Sequence, residues 1–451
     1  MVMNLLFPHY TRWVSVIILS LWMITLTGQE SYFGTSIVLD TMDKTYRASK
    51  NEFIFKYQNF RKSHIEKMKS TYKDKAGKEM ISEYQASADE LIRQVRDNQY
   101  IFHPKIDTLV RTTLAKFKGL DIPNPEKILF LISKDLSLNA FCLSDGVLMI
   151  NVGLFLWLYN NDQFASVLAH ELGHFTLNHY NDYRYDYLLN EHSKNTKYEL
   201  NQIKKTTTNQ AKVAQNSLRK KLYNQARTQR KHELEADSIG YAYYTAAGFR
   251  PKEYLKSMEL MLTYDTLPFF TLDTSIYYTM FDLPEQKINP AWLKGEDFDQ
   301  YHYIDKPSEF HVDSLMSHPS MEVRIENLKK HYTLETDTTT LFPDSTYAYV
   351  TSIVASEIFP VFYYNEEYGV ALYGVLRRLQ HDAENVYYRK WLGLLFNKIY
   401  EARKNYVLNR YVDAVDMRDK NRSYQQFLGF IWQLNLREIK IIADHYKYQK
   451  P

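Results

Sequence analysis

An apolar helix that carries two histidines and a glutamate is the feature that most constrains the fold of this chain. Between Asp162 and Phe175, apolar residues recur at spacings of three and four, which predicts a buried α-helix. Within it, His170-Glu-Leu-Gly-His174 places two imidazoles on one helical face. Without a ligand, these groups would be costly buried polar side chains. We therefore expect a metal at this helix, and the alternative is a satisfied histidine pair without one.

The same pentapeptide has the residue types that zinc hydrolysis requires. Two imidazoles one helical turn apart can bind a single zinc ion. Glu171 lies between them in sequence and is not needed as a ligand. Such a carboxylate can take a proton from a zinc-bound water and later deliver it to a leaving amine. The pattern predicts one Zn2+ per chain, with His170 and His174 as ligands and Glu171 as the catalytic base.

A third ligand is expected, because catalytic zinc usually has three protein ligands and one open position. Leu177 and Tyr180 stand where the metzincin pattern requires Gly and His, which excludes that class. His179 follows the second histidine by five residues, and this spacing predicts that it points away from the shared face. Further along, Glu233 and Asp237 lie one helical turn apart. We predict Glu233 as the third ligand and Asp237 as the acceptor that orients a zinc-bound histidine.

Composition and pattern indicate a mostly helical α+β chain with a small sheet. The 451 residues include only 14 glycines and 13 prolines, which disfavours turn-rich all-β architectures. A short apolar run at Ile128–Ile132 predicts a strand, and residues 139–152 predict a hairpin with Asp145-Gly146 at its turn. The lone Cys142 excludes an intramolecular disulfide.

The amino terminus predicts export. Arg12 precedes an apolar run from Trp13 to Leu26, followed by Thr27-Gly28-Gln29. This pattern is typical of a cleaved signal peptide over residues 1–28, and an uncleaved membrane anchor is the alternative. We therefore expect a periplasmic or secreted protein, with membrane association still open.

The remainder of the chain divides into two predicted parts. Residues 29–335 are assigned to a metalloprotease domain, and residues 336–451 to a helical C-terminal domain whose paired helices resemble the tetratricopeptide kind. Residues 183–232 form a predicted basic helical hairpin, with twelve Lys or Arg against three Asp or Glu. This hairpin could contact a membrane surface or acidic partners, although a solvated pair of helices is the simpler interpretation. Nucleic acid is not expected as a partner of an exported chain.

Four segments of the chain occur together in the manner of one known family. They are His170-Glu-Leu-Gly-His174, Glu233-Leu-Glu-Ala-Asp-Ser-Ile-Gly240, Asn139-Ala-Phe-Cys-Leu-Ser-Asp-Gly146 and Ser317-His-Pro-Ser-Met-Glu-Val-Arg-Ile325. The combination resembles the zinc metalloendopeptidases grouped with the CAAX prenyl proteases and the heat-shock protease HtpX, in particular their soluble periplasmic branch. The resemblance covers roughly residues 85 to 332. One departure is Asp145-Gly146, where the family often has Gly-Gly.

The resemblance implies a zincin-like (gluzincin) fold and hydrolysis of peptide bonds. It further implies that Asn139, Ala140 and Phe141 belong to an extended edge that binds substrate as an added strand. His318 is implied to lie near the zinc, either as a partner of the transition-state oxyanion or as a reversible fourth ligand. A structural histidine before Pro319 is an equal alternative.

Together these patterns predict a zinc metalloendopeptidase, and the family resemblance implies that it acts on misfolded or envelope-associated proteins. A protein or peptide is then the substrate, and other envelope proteins are possible partners. The rival hypothesis is a zinc-containing assembly factor or chaperone with little proteolytic activity, in which the C-terminal helices do the binding. Retention of Glu171 argues against this rival, because a structural zinc site needs no general base. An aminopeptidase is a third possibility, but no group that captures a substrate amine can be located.

Overall fold

The computed structural model describes residues 36–122, 124–264, 270–293, 319–332, 342–416 and 419–447. The predicted signal peptide and His318 lie outside these described residues. The fold is α+β and mostly helical, with one small sheet, as the composition predicts. No helix among the described residues is long and apolar enough to cross a membrane.

Among the residues described from 36 onward, three long α-helices and one short one precede the motif helix. The first two are capped by aspartates: Asp43 accepts a hydrogen bond from the Tyr46 amide, and Asp74 accepts one from the Gly77 amide. These side chains satisfy amide groups that would otherwise lack partners at the helix starts. The four helices are α1 Lys44–Thr71, α2 Lys75–Arg96, α3 Pro104–Ala115 and α4 Leu154–Trp157.

The sheet has four strands in the order β1-β2-β4-β3, so β3 lies at one edge of it. β1 and β2 are antiparallel, β2 and β4 are parallel, and β3 and β4 form an antiparallel hairpin. The strands are β1 Tyr100–Ile101, β2 Phe130–Ser133, β3 Ala140–Cys142 and β4 Leu148–Asn151.

The turn between β3 and β4 is fixed by a buried carboxylate and a glycine. Asp145 accepts hydrogen bonds from the hydroxyls of Tyr57 on α1, at 3.0 Å, and of Tyr84 on α2, at 2.9 Å. Gly146 has a φ of 95°, and a Cβ there would lie 2.5 Å from the ring of Phe175. Asp145 thus has a specific structural use at a position where the resembled family often has glycine. The turn places β3 against the motif helix.

Further helices follow the motif helix in the described ranges up to residue 332. The chain changes direction between helices at Asn178 and at Asn209, both of which have a positive φ. The second of these positions lies between a helix that ends at Lys205 and one that begins at Gln210, within the predicted helical hairpin of residues 183–232. The helices are α5 Asn161–Thr176, α6 His179–His192, α7 Lys194–Lys205, α8 Gln210–Ala246, α9 Pro251–Tyr264, α10 Ser275–Phe281 and α11 Met321–His331.

Six further helices form the C-terminal part of the described chain. They are α12 Ser345–Ser356, α13 Ile358–Tyr364, α14 Tyr368–His381, α15 Val386–Lys404, α16 Arg422–Gln433 and α17 Leu436–Lys447. One apolar cluster runs from the sheet and the motif helix into these helices. A second cluster joins α1 and α2 to the other face of the sheet. The boundary between residues 335 and 336 and the tetratricopeptide likeness remain predictions.

Candidate metal centre

The motif helix α5 is held by its packing and by a cap at its start. Asn160 accepts a hydrogen bond from the Gln163 amide, and both side chains donate to the buried carboxylate of Glu253 on α9. Phe164 and Leu168 are completely buried on the core side. The opposite side of the helix presents the histidine pair, because residues four apart share one face.

The two motif histidines lie side by side. Nε2 of His170 and Nε2 of His174 are 3.1 Å apart, and the two rings are nearly perpendicular. Both side chains are largely buried, with 15% and 22% exposed. Their Nε2 atoms therefore meet at one point on the surface of α5.

Glu233 reaches this point from the long helix α8. Its Oε2 lies 3.5 Å from Nε2 of His170, and its Oε1 lies 3.4 Å from Nε2 of His174. The three donor groups are thus brought together as the spacing predicts, although Glu233 is 59 residues beyond His174 in the sequence. They form one of two such groups among the described residues.

The donor separations fit a tetrahedral metal. Zinc–nitrogen and zinc–oxygen bonds are about 2.0 to 2.1 Å long, so two ligands of a tetrahedral zinc lie about 3.3 Å apart. The observed separations of 3.1, 3.4 and 3.5 Å lie close to that value. Two imidazoles and one carboxylate are also a donor set that suits zinc. His170, His174 and Glu233 therefore have the chemistry and the spacing to hold one zinc ion.

Asp237 lies one turn after Glu233 and contacts His170. Its Oδ1 is 3.0 Å from Nδ1 of His170, on the side of the ring opposite the cluster. Burial disfavours the charged form of Asp237, but Arg324 and His170 hold the pKa of this carboxyl below its ordinary value. Burial likewise lowers the pKa of His170, but hydrogen bonds with Asp237 and Glu233 raise it to about 10. The carboxylates concentrate negative charge where a cation would bind.

Arg324 on α11 is a site residue that the sequence analysis did not single out. Its Nε donates to Oδ2 of Asp237 at 2.8 Å and its Nη2 donates to Oδ1 at 2.6 Å. Its Nη1 also lies 3.2 Å from Oε2 of Glu233. One buried guanidinium thus joins the proposed ligand Glu233 to the positioning residue Asp237. Arg324 is part of the Ser317–Ile325 segment that carries the family resemblance. The spacing of that segment does not show which residues the arginine contacts.

Small residues allow α5 and α8 to approach closely. A Cβ on Gly240 would lie 3.0 Å from the backbone of Ala169 and His170. A Cβ on Gly173 would lie 2.9 Å from the carbonyl oxygen of Ala236. The two helices therefore pack almost backbone to backbone, which lets Glu233 reach the histidine pair.

Glu171 lies on the same helix but is held by the sheet. Its Oε2 accepts a hydrogen bond of 3.0 Å from the backbone amide of Cys142 on β3. Burial raises the pKa of Glu171, and the charges of His170 and His174 oppose this rise. A buried carboxylate with a raised pKa, fixed beside the cluster, is suited to accept and return a proton.

His179 lies behind His174 and belongs to a donor group other than that of His170, His174 and Glu233. The two Nδ1 atoms are 3.1 Å apart. The motif helix α5 ends at Thr176, and Asn178 adopts a left-handed conformation with a φ of 56°. A new helix starts at His179, and the change of direction returns its ring to His174.

His179 also contacts two residues of α8. Its Nε2 lies 3.4 Å from Oε2 of Glu235, and its ring stacks on that of His232 with 4.1 Å between centroids. Burial lowers the pKa of His179 to about 4, and burial also lowers the pKa of His232. His179, His232 and Glu235 make up the second group of potential metal ligands among the described residues.

The predicted substrate-binding edge strand lies next to Glu171 of the motif helix. Ala140 and Phe141 belong to β3, and Asn139 immediately precedes it. Ala140 is buried, whereas Phe141 is 44% exposed, as expected for alternating sides of an edge strand. The position agrees with a surface strand beside Glu171, while the binding of a substrate there stays a prediction.

A cavity of about 500 Å3 opens beyond the end of the motif helix. Its walls include Tyr72 from α1 and Phe175 from α5. A smaller pocket that includes His174 shares Ser144 and Phe175 with it. The smaller pocket thus adjoins both His174 and the larger cavity.

Comparison with known proteins identifies the family. Residues 103–332, about half of the chain, match peptidase family M48. The chain belongs to this family. Peptidases of family M48 are metal-dependent and usually use zinc. The family match and the donor group of His170, His174 and Glu233 together support assignment to the metallopeptidases, a class of hydrolases.

One curated relative matches part of the chain. It is named "Putative beta-barrel assembly-enhancing protease" and comes from Vibrio cholerae serotype O1 (strain ATCC 39315 / El Tor Inaba N16961). The two sequences are 30% identical over 96 residues, which is 20% of this chain and 19% of the relative. The match therefore concerns a fifth of either protein.

Proposed function

We propose that the protein is a zinc-dependent endopeptidase. The observation that carries this proposal is the position of Glu171, buried next to three donor groups at tetrahedral separations. The ligands in the proposal are His170, His174 and Glu233. Membership of a metallopeptidase family supports it independently of the geometry.

In this proposal zinc supplies a Lewis acid that polarises the scissile carbonyl and the attacking water. Glu171 accepts the proton of that water and then delivers it to the leaving amine. The Cys142 amide holds the carboxylate in place, since it donates to Oε2 at 3.0 Å. Asp237 and Arg324 keep His170 and Glu233 oriented, because both make direct contacts behind the ligand atoms.

Substrate binds along β3 in the proposed mechanism. In the antiparallel pair with β4, alternate residues of β3 direct their amide and carbonyl groups away from the partner strand. The Cys142 amide, which meets Glu171, is on this outer side. Ala140 is two residues earlier, so its backbone groups have the same direction. A substrate strand that pairs with Ala140 would run directly past the proposed catalytic base.

The neighbouring cavity gives this site a place for a substrate side chain. It begins beside Ser144 and Phe175 and has a volume of about 500 Å3, large enough for an aromatic residue. His64 and Lys67 from α1 contribute polar groups to its walls. We propose modest side-chain selectivity here, with backbone pairing as the main source of affinity.

The proposed substrates are misfolded or envelope-associated proteins of an exported compartment. The printed name of the Vibrio relative refers to assembly of β-barrels, and the amino-terminal sequence pattern predicts export. The basic helices between residues 183 and 232 would contact a membrane surface in this setting. The helices within residues 336–451 are proposed as a C-terminal domain that contacts partners.

The direct test compares cleavage of casein by the full chain and by the Glu171→Gln variant, with zinc content measured on each. The proposal expects cleavage by the zinc-loaded wild type and a loss of at least about a hundredfold in the variant, because a general base contributes this much or more. Zinc content should not change. Glu199→Gln is a matched control, since this glutamate is exposed on α7.

Two results would contradict the proposal. Equal turnover by wild type and Glu171→Gln would remove Glu171 from the mechanism. One zinc per chain without turnover in any variant would instead support the rival assembly factor, which binds proteins through the C-terminal helices.

A further inference from the structure

The second donor group has a composition typical of metal sites. The potential ligand atoms of His179, His232 and Glu235 all lie within 4.8 Å of one another. His179 is the first residue of α6, while His232 and Glu235 are three residues apart on α8, so they share one helical face. His179 is buried, and the other two are partly exposed, so the group is open to solvent on one side.

Two features separate this group from the first one. The rings of His179 and His232 are stacked at an interplanar angle of 5°, so one ion cannot lie in both ring planes until His232 turns. Glu235 also has a competing partner, because its Oε1 lies 3.1 Å from the ammonium of Lys231. The ring nitrogens of His232 make no hydrogen bond within the described chain, so its rotation breaks none. The ring stacking and the competing contact with Lys231 both predict weaker metal binding here than at His170, His174 and Glu233.

The hydrogen-bond directions between His174 and His179 link the two groups. With Nε2 of His174 used as a ligand, the proton of this neutral ring is on Nδ1. That Nδ1–H lies 3.1 Å from Nδ1 of His179, which must then be the acceptor. His179 consequently carries its proton on Nε2, and this N–H faces Glu235 at 3.4 Å. The chain His174, His179, Glu235 thus fixes the orientation of a proposed zinc ligand.

A metal bound to Nε2 of His179 would reverse this arrangement. The metal takes the Nε2 lone pair, so the proton of the neutral ring must lie on Nδ1. Two N–H groups would then face each other across the 3.1 Å between His174 and His179. His174 loses its acceptor and its fixed orientation.

We propose that His179, His232 and Glu235 form a second, weaker metal site, and that zinc bound there inhibits the enzyme by releasing His174. The donor set of two imidazoles and one carboxylate selects zinc and similar divalent transition metals over Mg2+ or Ca2+. The inhibitory effect rests on the proposed function, whereas the existence of the site does not. The protein would then be active at one metal per chain and inhibited at two.

The experiment titrates the metal-free full chain with Zn2+, and in parallel with Co2+, while bound metal and casein cleavage are followed. Wild type should bind one tight and one weaker equivalent. Its turnover should fall about tenfold or more as the second equivalent binds, the size of effect that losing an outer hydrogen-bond partner of a ligand can have. The Co2+ absorption of the first equivalent should change when the second binds, which reports on His174 without any substrate.

His232→Phe is the informative variant, because it keeps a ring stacked on His179 and removes only the donor atom. It should bind one equivalent, retain the turnover of the singly loaded wild type and resist excess zinc. His192→Phe removes another histidine, which pairs with Glu79 on the surface, and should behave like wild type.

A single equivalent in wild type, or a second one that persists in His232→Phe, would overturn the site. A second equivalent that leaves both turnover and the first Co2+ spectrum unchanged would overturn the inhibition. If the chain never cleaves casein, the proposed function fails, while metal content and the Co2+ spectrum still decide on the second site.

Discussion

At the scale of single residues, the site depends on groups that do not touch the metal position. Asp237 receives hydrogen bonds from both His170 and Arg324, and Arg324 also contacts Glu233. All four side chains are buried or nearly so. Because buried charges are costly without partners, these contacts hold the proposed ligands in one geometry.

Replacement of Arg324 by lysine tests this network. Lysine keeps the positive charge but cannot make the paired contacts at 2.8 and 2.6 Å to the two oxygens of Asp237. We expect zinc affinity to fall about 10- to 100-fold, as for other outer contacts of metal ligands. Competition with a zinc-binding dye measures this change. Lys329→Met alters an exposed charge on the same helix and should leave affinity unchanged.

Sequence spacing was sufficient for some of these residues and insufficient for others. His170, His174, Glu233 and Asp237 follow from positions one helical turn apart within two helices, and the structure brings them together. Arg324 could not be predicted, because its partners lie 87 residues or more away in sequence and only packing joins them.

At the scale of secondary structure, the approach of α5 and α8 determines whether the ligands meet. Glycine at 173 and 240 leaves room for backbone contact between the two helices. Glu233 lies two turns before Gly240, so any separation of the helices at that point also moves the carboxylate. Helix packing and metal geometry are therefore coupled.

Gly240→Ala should be destabilising even though alanine favours helices. Its Cβ would be 3.0 Å from backbone atoms of Ala169 and His170, which cannot move without displacing α5. We expect a loss of about 1 to 3 kcal/mol, the usual cost of overpacking, together with weaker zinc binding. Urea denaturation and a zinc titration measure the two effects.

Gly429→Ala is the matched control. This glycine lies within α16, and a Cβ there meets no atom within 4 Å. Without a clash, the substitution should stabilise the protein by about 0.5 to 1 kcal/mol through helix propensity. If both substitutions had the same effect, the close contact at Gly240 would have no energetic significance.

Most elements were predictable because their periodicity is local. The motif helix, β2 and the β3–β4 hairpin lie where the sequence pattern places them. The order of the strands and the pairing of β2 with β4 depend on contacts between distant parts of the chain. Local periodicity in the sequence does not predict such contacts. The left-handed Asn178, after which α6 brings His179 to His174, was not predicted either.

At the scale of the whole molecule, one buried carboxylate joins the start of the described chain to its C-terminal helices. Glu357, between α12 and α13, accepts hydrogen bonds from the Ser36 hydroxyl and from the amides of Ile37 and Val38. Lys134, after β2, donates to the carbonyl of Val38 at 2.8 Å. Segments more than 300 residues apart thus share one polar cluster.

Glu357→Ala should destabilise the protein by about 2 to 4 kcal/mol, because it leaves several buried donors without an acceptor. The urea midpoint of unfolding measures the effect. Glu401→Ala removes an exposed glutamate on α15 and should change stability by less than about 0.5 kcal/mol. Equal stability of the two variants would show that the cluster does not hold the N-terminal segment.

Lys134 predicts a characteristic pH dependence. Burial lowers the pKa of Lys134 from 10.5 to about 8, although Glu357 opposes the shift. Between these values the unfolded chain binds more protons than the folded one, so this residue makes stability rise with pH. Relative to Lys134→Met, wild type should gain stability between about pH 7 and about pH 9.5. Urea midpoints for both proteins at the two pH values test this, and a constant difference would contradict it.

The most direct test of the account is the number of tightly bound zinc ions per chain at limiting zinc, in wild type and in Glu233→Gln. Glu233 supplies the ligand that α8 brings to the histidines of α5, at 3.4 and 3.5 Å. We predict one tight zinc in wild type and almost none in the variant, with both proteins folded by circular dichroism. No tight zinc in wild type, or equal zinc in the two proteins, would contradict the proposed metal centre.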